Sequence, residues 1–270
     1  MPFAKASDAE IHYELVGQGE PLMLVAGLGG AASYWAPNVE ALSRNYRMLL
    51  HDHRGTGKSS RYEKEYSVEL MAEDLLKVMD AAGIAKAHLV GHSTGGSIGQ
   101  VLAANAPDRI ASLVLYASWA EMDPQMEMCL ETRRKILRVM GEAEYHRATP
   151  IFLYPPYYVR DRKAALDEEI EAAIRNSPPQ SILDARVTAI MKFDGLQYLG
   201  KIKCPTMVLV AEDDILTPPY LSDQMADRLR APAVVKLPRG GHAVSRTEPA
   251  LFNQTVLNFL GRHRIEGIAA

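Results

Sequence analysis

Two cysteines among 270 residues, Cys129 and Cys204, stand far apart and form no Cys-x-x-Cys pair. That excludes a disulfide framework and a thiolate metal site, and points to reduced thiols. Also missing is any apolar stretch approaching the roughly 20 residues that cross a bilayer. Residues Met1 to Asp8 lack an apolar leader core, so a cytoplasmic protein without membrane partners is expected. Neither sign of charge forms a long block: 30 basic against 33 acidic residues leave a formal net charge of -3, which argues against nucleic acid as a partner. No internal repeat or low-complexity tract interrupts the chain. What is present is a single stretch, 47% hydrophobic, long enough to bury one large core. A small molecule is the expected partner, and monomer and homo-oligomer both stay open.

The chemistry starts at Gly91-His92-Ser93-Thr94-Gly95, which follows the apolar run Ala87-His88-Leu89-Val90 and precedes a small-residue stretch that reads as a helix. Gly-x-Ser-x-Gly between a strand and a helix is a nucleophile elbow, in which a sharp turn lifts the serine hydroxyl out of the sheet. Gly95, Gly99 and Ala103 recur every four residues, leaving one helix face bare enough to lie close against a sheet. A serine is a poor nucleophile without a base, and the base needs a third group to hold its ring. The chain supplies candidates in the order serine, acid, histidine. The strand-like Thr206 to Ala211 ends in Glu212-Asp213-Asp214, with Asp214 the preferred acid, Asp213 and Asp123 its rivals, and Thr217-Pro218 reading as an N-cap and first-turn proline. The run Ala233 to Leu237 leads through Gly240-Gly241 to His242, the candidate base.

An oxyanion needs donors already in place. The amide of Thr94 follows the nucleophile, and the amide of Leu28, in the loop Gly27-Leu28-Gly29-Gly30 after the strand Leu22 to Ala26, is the candidate second donor. The same loop fits a dinucleotide fingerprint using Gly27, Leu28 and Gly29, with Asp52 where a ribose-binding acid belongs, so an NAD(P)-dependent oxidoreductase is the competing reading. Against it, the segment around Ile11 to Leu15 precedes that loop and reads as antiparallel strand, and the ordered serine, aspartate and histidine stay unexplained.

Alternating strands and helices predict an α/β fold, a mostly parallel sheet with helices on both faces. Val68, Met71, Leu75, Val78 and Ala82 mark one helix face, closed by Gly83. Alternation stops after Tyr116. Helical patterns near Met126 to Met140, Asp161 to Ile174 and Gln180 to Met191 predict a helical lid over residues 120–199, inserted between core segments 1–119 and 200–270. Lid residues Tyr154, within the aromatic run Phe152 to Tyr158, and Arg133 and Arg134, suited to a substrate carboxylate, are the candidate pocket lining.

Taken together, Gly27 to Gly30 with Ser33-Tyr34-Trp35 and Pro37, Asp52-His53-Arg54-Gly55-Thr56-Gly57, Phe152-Leu153-Tyr154-Pro155, Ile202 to Pro205 and Gly240-Gly241-His242-Ala243 resemble the α/β-hydrolase superfamily over nearly the whole chain. Within it the chain most resembles the aminoacrylate hydrolases of pyrimidine catabolism, with the 3-oxoadipate enol-lactonases as near relatives, and the lid tetrapeptide is the telling segment. One departure is Ala26-Gly27 where that superfamily has histidine-glycine; the donor being an amide, little harm is expected. The resemblance implies the α/β-hydrolase fold and cofactor-free acyl transfer from a small ester, lactone, amide or carbamate-like substrate to water. Carbon-carbon bond hydrolysis and cofactor-free peroxidation share the constellation and stay as alternatives.

Overall fold

A computed structural model of the protein describes residues 2–265. Eight strands form one sheet: β1 (Phe3–Ala6), β2 (Ala9–Val16), β3 (Glu20–Val25), β4 (Tyr46–His51), β5 (Ala87–His92), β6 (Ile110–Tyr116), β7 (Thr206–Ala211) and β8 (Ala233–Leu237), in spatial order β1-β2-β4-β3-β5-β6-β7-β8. The β1/β2 and β2/β4 pairs are antiparallel and the others parallel. Continuous apolar runs in β3, β5 and β7 are buried at every position, as parallel strands covered on both faces require.

Helices α1 (Ala36–Ser43), α2 (Val68–Ala81) and α3 (Thr94–Asn105) alternate with the early strands. Between β6 and β7 lie α4 (Pro124–Leu153), α5 (Pro156–Asp161), α6 (Lys163–Arg175), α7 (Gln180–Lys192) and α8 (Leu196–Leu199). Helices α9 (Pro219–Ala226), α10 (Val244–Thr247) and α11 (Pro249–Leu260) complete the described residues. Because side chains alternate across a strand, Leu89 and Leu113 join one core layer with Met71, Leu75, Val78 and Ile98, while their neighbours Val90 and Val114 join the other with Trp35, Phe252 and Val256. Ser67 caps α2 by accepting from the Leu70 amide at 3.0 Å, and Gly83, at φ 66°, turns the chain beyond it.

The pattern near Met126 to Met140 proves to be the first half of α4. Gly141, at φ 84°, breaks the helical path, and the chain then continues helically to Leu153 with Pro150 inside it. Among the described residues no helix is long and apolar enough to cross a membrane.

Candidate active site

The chain leaves β3 for β4 on one side and later returns through β5 on the other, so β3 and β5 are neighbours whose carboxyl ends open a crevice. Two loops meet there. Gly27 follows β3, and a Cβ on it would stand 3.2 Å from Ser93 Cβ and 3.0 Å from His92 Nδ1, which measures how tightly the glycine loop abuts the residue after β5.

Ser93 has φ 53° and ψ -116°, a conformation that costs a non-glycine residue on the order of 1–3 kcal/mol and persists only when its surroundings enforce it. They do. Its amide donates to Tyr116 O at 2.8 Å, and its carbonyl accepts from the Gly96 amide at 2.8 Å and from Ser118 Oγ at 2.9 Å. A Cβ on Gly91 would lie 2.2 Å from Gly95 O and one on Gly95 2.1 Å from Val25 O, so the tight strand-to-helix crossing admits glycine alone at both sites. The Thr94 amide, at the first position of α3, has no intrahelical acceptor.

His242 and Asp214 arrive on the loops beyond β8 and β7. Both are buried, and His242 Nδ1 lies 2.9 Å from Asp214 Oδ2. The carboxylate is held firmly: Oδ1 accepts from the amides of Leu216 and Thr217, each at 2.9 Å, and Oδ2 from Thr217 Oγ1 at 2.8 Å. A carboxylate at Nδ1 keeps the ring proton on that nitrogen and leaves the Nε2 lone pair for a donor. The rival acids are committed elsewhere. Asp213 Oδ1 accepts from the Gly241 amide at 2.7 Å, and Asp123 caps α4 through the amides of Gln125 and Met126 while receiving the Tyr220 hydroxyl.

The His242 backbone is tied to the residue beside the serine. His92 Nε2 donates to His242 O at 2.9 Å and Tyr116 Oη donates to the same carbonyl at 3.1 Å. His92 is stacked on Tyr34, with centroids 4.6 Å apart. Burial, reinforced by the neighbouring His242, pushes its pKa well below the usual range and keeps it a neutral donor. Among the described residues the Ser93 hydroxyl makes no hydrogen bond.

The insertion presses on this loop directly. Leu153 O accepts from the Ala243 amide at 3.2 Å, and a Cβ on Gly241 would meet Leu153 O at 2.9 Å and the Pro155 ring at 2.9 Å. Tyr154 is thereby anchored beside the histidine loop, its ring 5.1 Å from that of Tyr158, and burial raises its hydroxyl pKa. Tyr157 donates its hydroxyl to Glu248 Oε1 at 3.4 Å, its ring under the Arg239 guanidinium at 5.2 Å. Two open clefts, of about 150 and 480 Å³, lie away from the serine: Leu221 and Arg228 help line the first, Tyr158 and Arg246 the second.

The two arginines on α4 differ. Arg134 is ion-paired with Glu131. Arg133 is 5% exposed and has no acidic partner among the described residues. It donates to Tyr145 Oη at 3.0 Å and Thr149 Oγ1 at 3.3 Å, lies 5.0 Å from the Tyr145 ring centroid, and leaves Nε unpartnered. The Cys129 thiol of the same helix is pushed up by burial.

Two residues escape the sequence reading. Thr217 was expected to cap a helix, but α9 begins one residue later with Pro218 at its cap, because the Thr217 hydroxyl is taken by Asp214 and stands 3.1 Å from His242 Nδ1. Arg186 lies fully buried on α7 against the glycine loop. Its signal was an arginine on the apolar face formed by Ile182, Leu183, Val187 and Ile190. Asp52, the expected ribose acid of the oxidoreductase reading, is consumed internally by the amides of Ala32 (2.8 Å) and Lys58 (3.0 Å) and by His12 Nδ1 (3.1 Å).

A parallel sheet with an antiparallel edge, a strained serine between strand and helix, and acid and histidine on later loops define a hydrolase architecture. The chain belongs to the α/β-hydrolase family, whose sequence profile matches residues 20–141. It is 40% identical to a protein of Azorhizobium caulinodans provisionally named carbamate hydrolase RutD, over 97% of this chain and 98% of that one. A protein of Caulobacter sp. strain K31 with the same provisional name is 39% identical over 93% and 94%. Among solved structures, the enol-lactonase of Burkholderia xenovorans LB400 superimposes with a TM-score of 0.88 at 27% identity, covering 96% of this chain and all of that one. Hydrolysis is the activity these relationships support.

Proposed function

We propose that the protein is a serine hydrolase that works through an acyl-enzyme. Ser93 attacks a carbonyl carbon as His242 Nε2 takes its proton, the amides of Leu28 and Thr94 hold the oxyanion, and His242 returns the proton to the leaving group. Water then repeats the sequence on the acyl-enzyme. Asp214 fixes the imidazole tautomer and stabilises the imidazolium. No cofactor enters. The observation that carries this reading is the 2.9 Å His242–Asp214 contact, on a loop whose carbonyl is bonded to the neighbour of a strained Ser93.

The substrate class we infer is a small ester, lactone, amide or carbamate bearing a carboxylate or other anionic group. A buried guanidinium with an idle donor is costly unless an anion completes it, and Arg133, on α4, is such a group. The provisional names of the relatives, carbamate hydrolase, agree with a compact acidic substrate. Tyr154, beside the histidine loop, is assigned to the pocket wall.

Incubation with a fluorophosphonate tests the mechanism: one adduct forms on Ser93, and Ser93→Ala takes none. The same variant should lose on the order of a million-fold in kcat on p-nitrophenyl acetate. Hydrolysis by Ser93→Ala at the wild-type rate refutes the nucleophile assignment.

A further inference from the structure

One buried imidazole beside the serine takes no part in the proton transfers above. His92 closes β5, immediately before Ser93, and is 3% exposed. Its Nε2 donates to His242 O at 2.9 Å, so that nitrogen carries the ring proton, and Nδ1 has no partner among the described residues. Tyr116 Oη donates to the same carbonyl at 3.1 Å. The tyrosine hydroxyl is aimed from behind: Oη accepts from the Ser245 amide at 3.0 Å, which leaves its own proton for His242 O.

Both donors also hold the nucleophile. His92 is joined to Ser93 by a peptide bond, and Tyr116 O accepts from the Ser93 amide at 2.8 Å. The carbonyl of the candidate base is therefore fixed to the same two residues that fix Ser93. Rings reinforce this bridge, His92 packing on His242 with centroids 4.8 Å apart and on Tyr116 at 4.7 Å.

The histidine loop needs such a hold. Gly240 and Gly241 precede His242 at φ 136° and 66°, conformations that favour glycine, so the loop has little stiffness of its own. The bond from Nδ1 to Asp214 fixes the imidazole at one point, and a ring held at one point still swings Nε2 away from the serine. A misplacement of about 1 Å costs on the order of 100-fold in rate.

We propose that His92 is a positioning residue: with Tyr116 it clamps the main-chain carbonyl of His242 and so holds the base in register with the nucleophile. This rests on the serine mechanism above, with His242 as the base. The clamp requires a neutral ring, because a cation in ring contact with His242 opposes the imidazolium formed during attack, and burial keeps His92 neutral. Neither donor is assigned to substrate, so losing the clamp lowers kcat and leaves KM nearly unchanged.

The test separates the hydrogen bond from the ring. His92→Phe keeps a ring to pack on Tyr34 and Tyr116 but loses the donor, whereas His92→Gln keeps an N–H at the reach of Nε2 but loses the ring. Both are assayed by steady-state ester hydrolysis beside Tyr116→Phe and the double variant His92→Phe/Tyr116→Phe, with circular dichroism to verify folding. His92→Phe should lose about 10- to 100-fold in kcat, with KM within about threefold. His92→Gln should stay within about fivefold of wild type. Tyr116→Phe, which leaves the imidazole in place, should lose about 3- to 10-fold. The double variant should lose more than the product of the two single losses, since each donor covers for the other. Were packing alone at work, the order of the two His92 variants would invert.

Wild-type kcat in folded His92→Phe overturns the proposal, as does a His92→Gln slower than His92→Phe or a double variant no slower than His92→Phe. If His92→Phe fails to fold, Tyr116→Phe is read alone: a drop of about threefold or more at unchanged KM supports the clamp, and wild-type kcat refutes it. A wild-type protein that neither labels at Ser93 nor hydrolyses esters would instead sink the mechanism on which the inference stands.

Discussion

Replacing Asp214 with asparagine removes one charge and almost nothing else, which makes it a sharp probe of the site. The asparagine oxygen can still accept from the Leu216 and Thr217 amides, so the loop should hold. At the Oδ2 position an amide NH2 now faces Thr217 Oγ1 and His242 Nδ1, both of which were paired with a carboxylate oxygen. The amide donates to the threonine, whose hydroxyl turns toward His242 Nδ1, 3.1 Å away, and the ring proton is driven to Nε2, where it blocks attack. The electrostatic loss can be sized. Two unit charges at the 2.9 Å separation seen here, with an effective dielectric of about 20, attract by about 6 kcal/mol, and each 1.36 kcal/mol is tenfold in rate. Asp214→Asn should therefore lose about 10,000-fold in kcat, in line with the size of such effects in triads generally. The assay is ester hydrolysis with active-site titration, beside a thermal melt. A melting temperature close to wild type together with a kcat loss under about tenfold would refute the assignment of Asp214.

Arg133→Met should lower kcat/KM about 30-fold for an anionic ester and leave a neutral ester of the same size within about threefold, since charge-assisted bonds are worth about 1.5–3 kcal/mol; equal losses on both substrates would argue against anion recognition. Stability should decline on acidification. Burial holds the imidazole of His51 down to about 4 and those of His53 and His92 well below the usual range. Above about pH 6.5 these rings are neutral in both states and add no pH dependence; below it the unfolded chain takes up protons that the folded one refuses, so stability falls by up to about 1.4 kcal/mol per pH unit for each ring, down to the folded pKa. Urea midpoints that stay level from pH 7 to pH 5 would contradict this. Gly95→Ala, whose Cβ would lie 2.1 Å from Val25 O, should cost about 3 kcal/mol in urea unfolding or prevent folding, and a wild-type midpoint would show that the crossing is looser than described.

Much of the candidate site could be proposed from sequence because the chemistry imposes local sequence. The elbow needs glycines at fixed offsets from Ser93, and the parallel strands before it and before Asp214 read as uninterrupted apolar runs, buried throughout. The candidate acid was harder to choose. Glu212, Asp213 and Asp214 are adjacent, and backbone direction at the end of β7 sends Asp214 to the histidine and Asp213 to the Gly241 amide. Helix periodicity pointed to helices between β6 and β7 but missed the break at Gly141, and cap residue types missed the true cap of α9, since a hydroxyl serves whichever acceptor tertiary structure brings within reach.

What the chain determined by itself is everything that repeats or constrains within a few residues: strand and helix alternation, the strained turn at Ser93, the glycine turn after β3. Only tertiary structure decided which of two insertion arginines is sated and which is idle. Arg186 meets backbone carbonyls from two distant loops, whereas Arg133 meets hydroxyls of its own helix and keeps Nε free. The physical reason is that a guanidinium's role depends on the acceptors around it, and those come from segments far away in sequence.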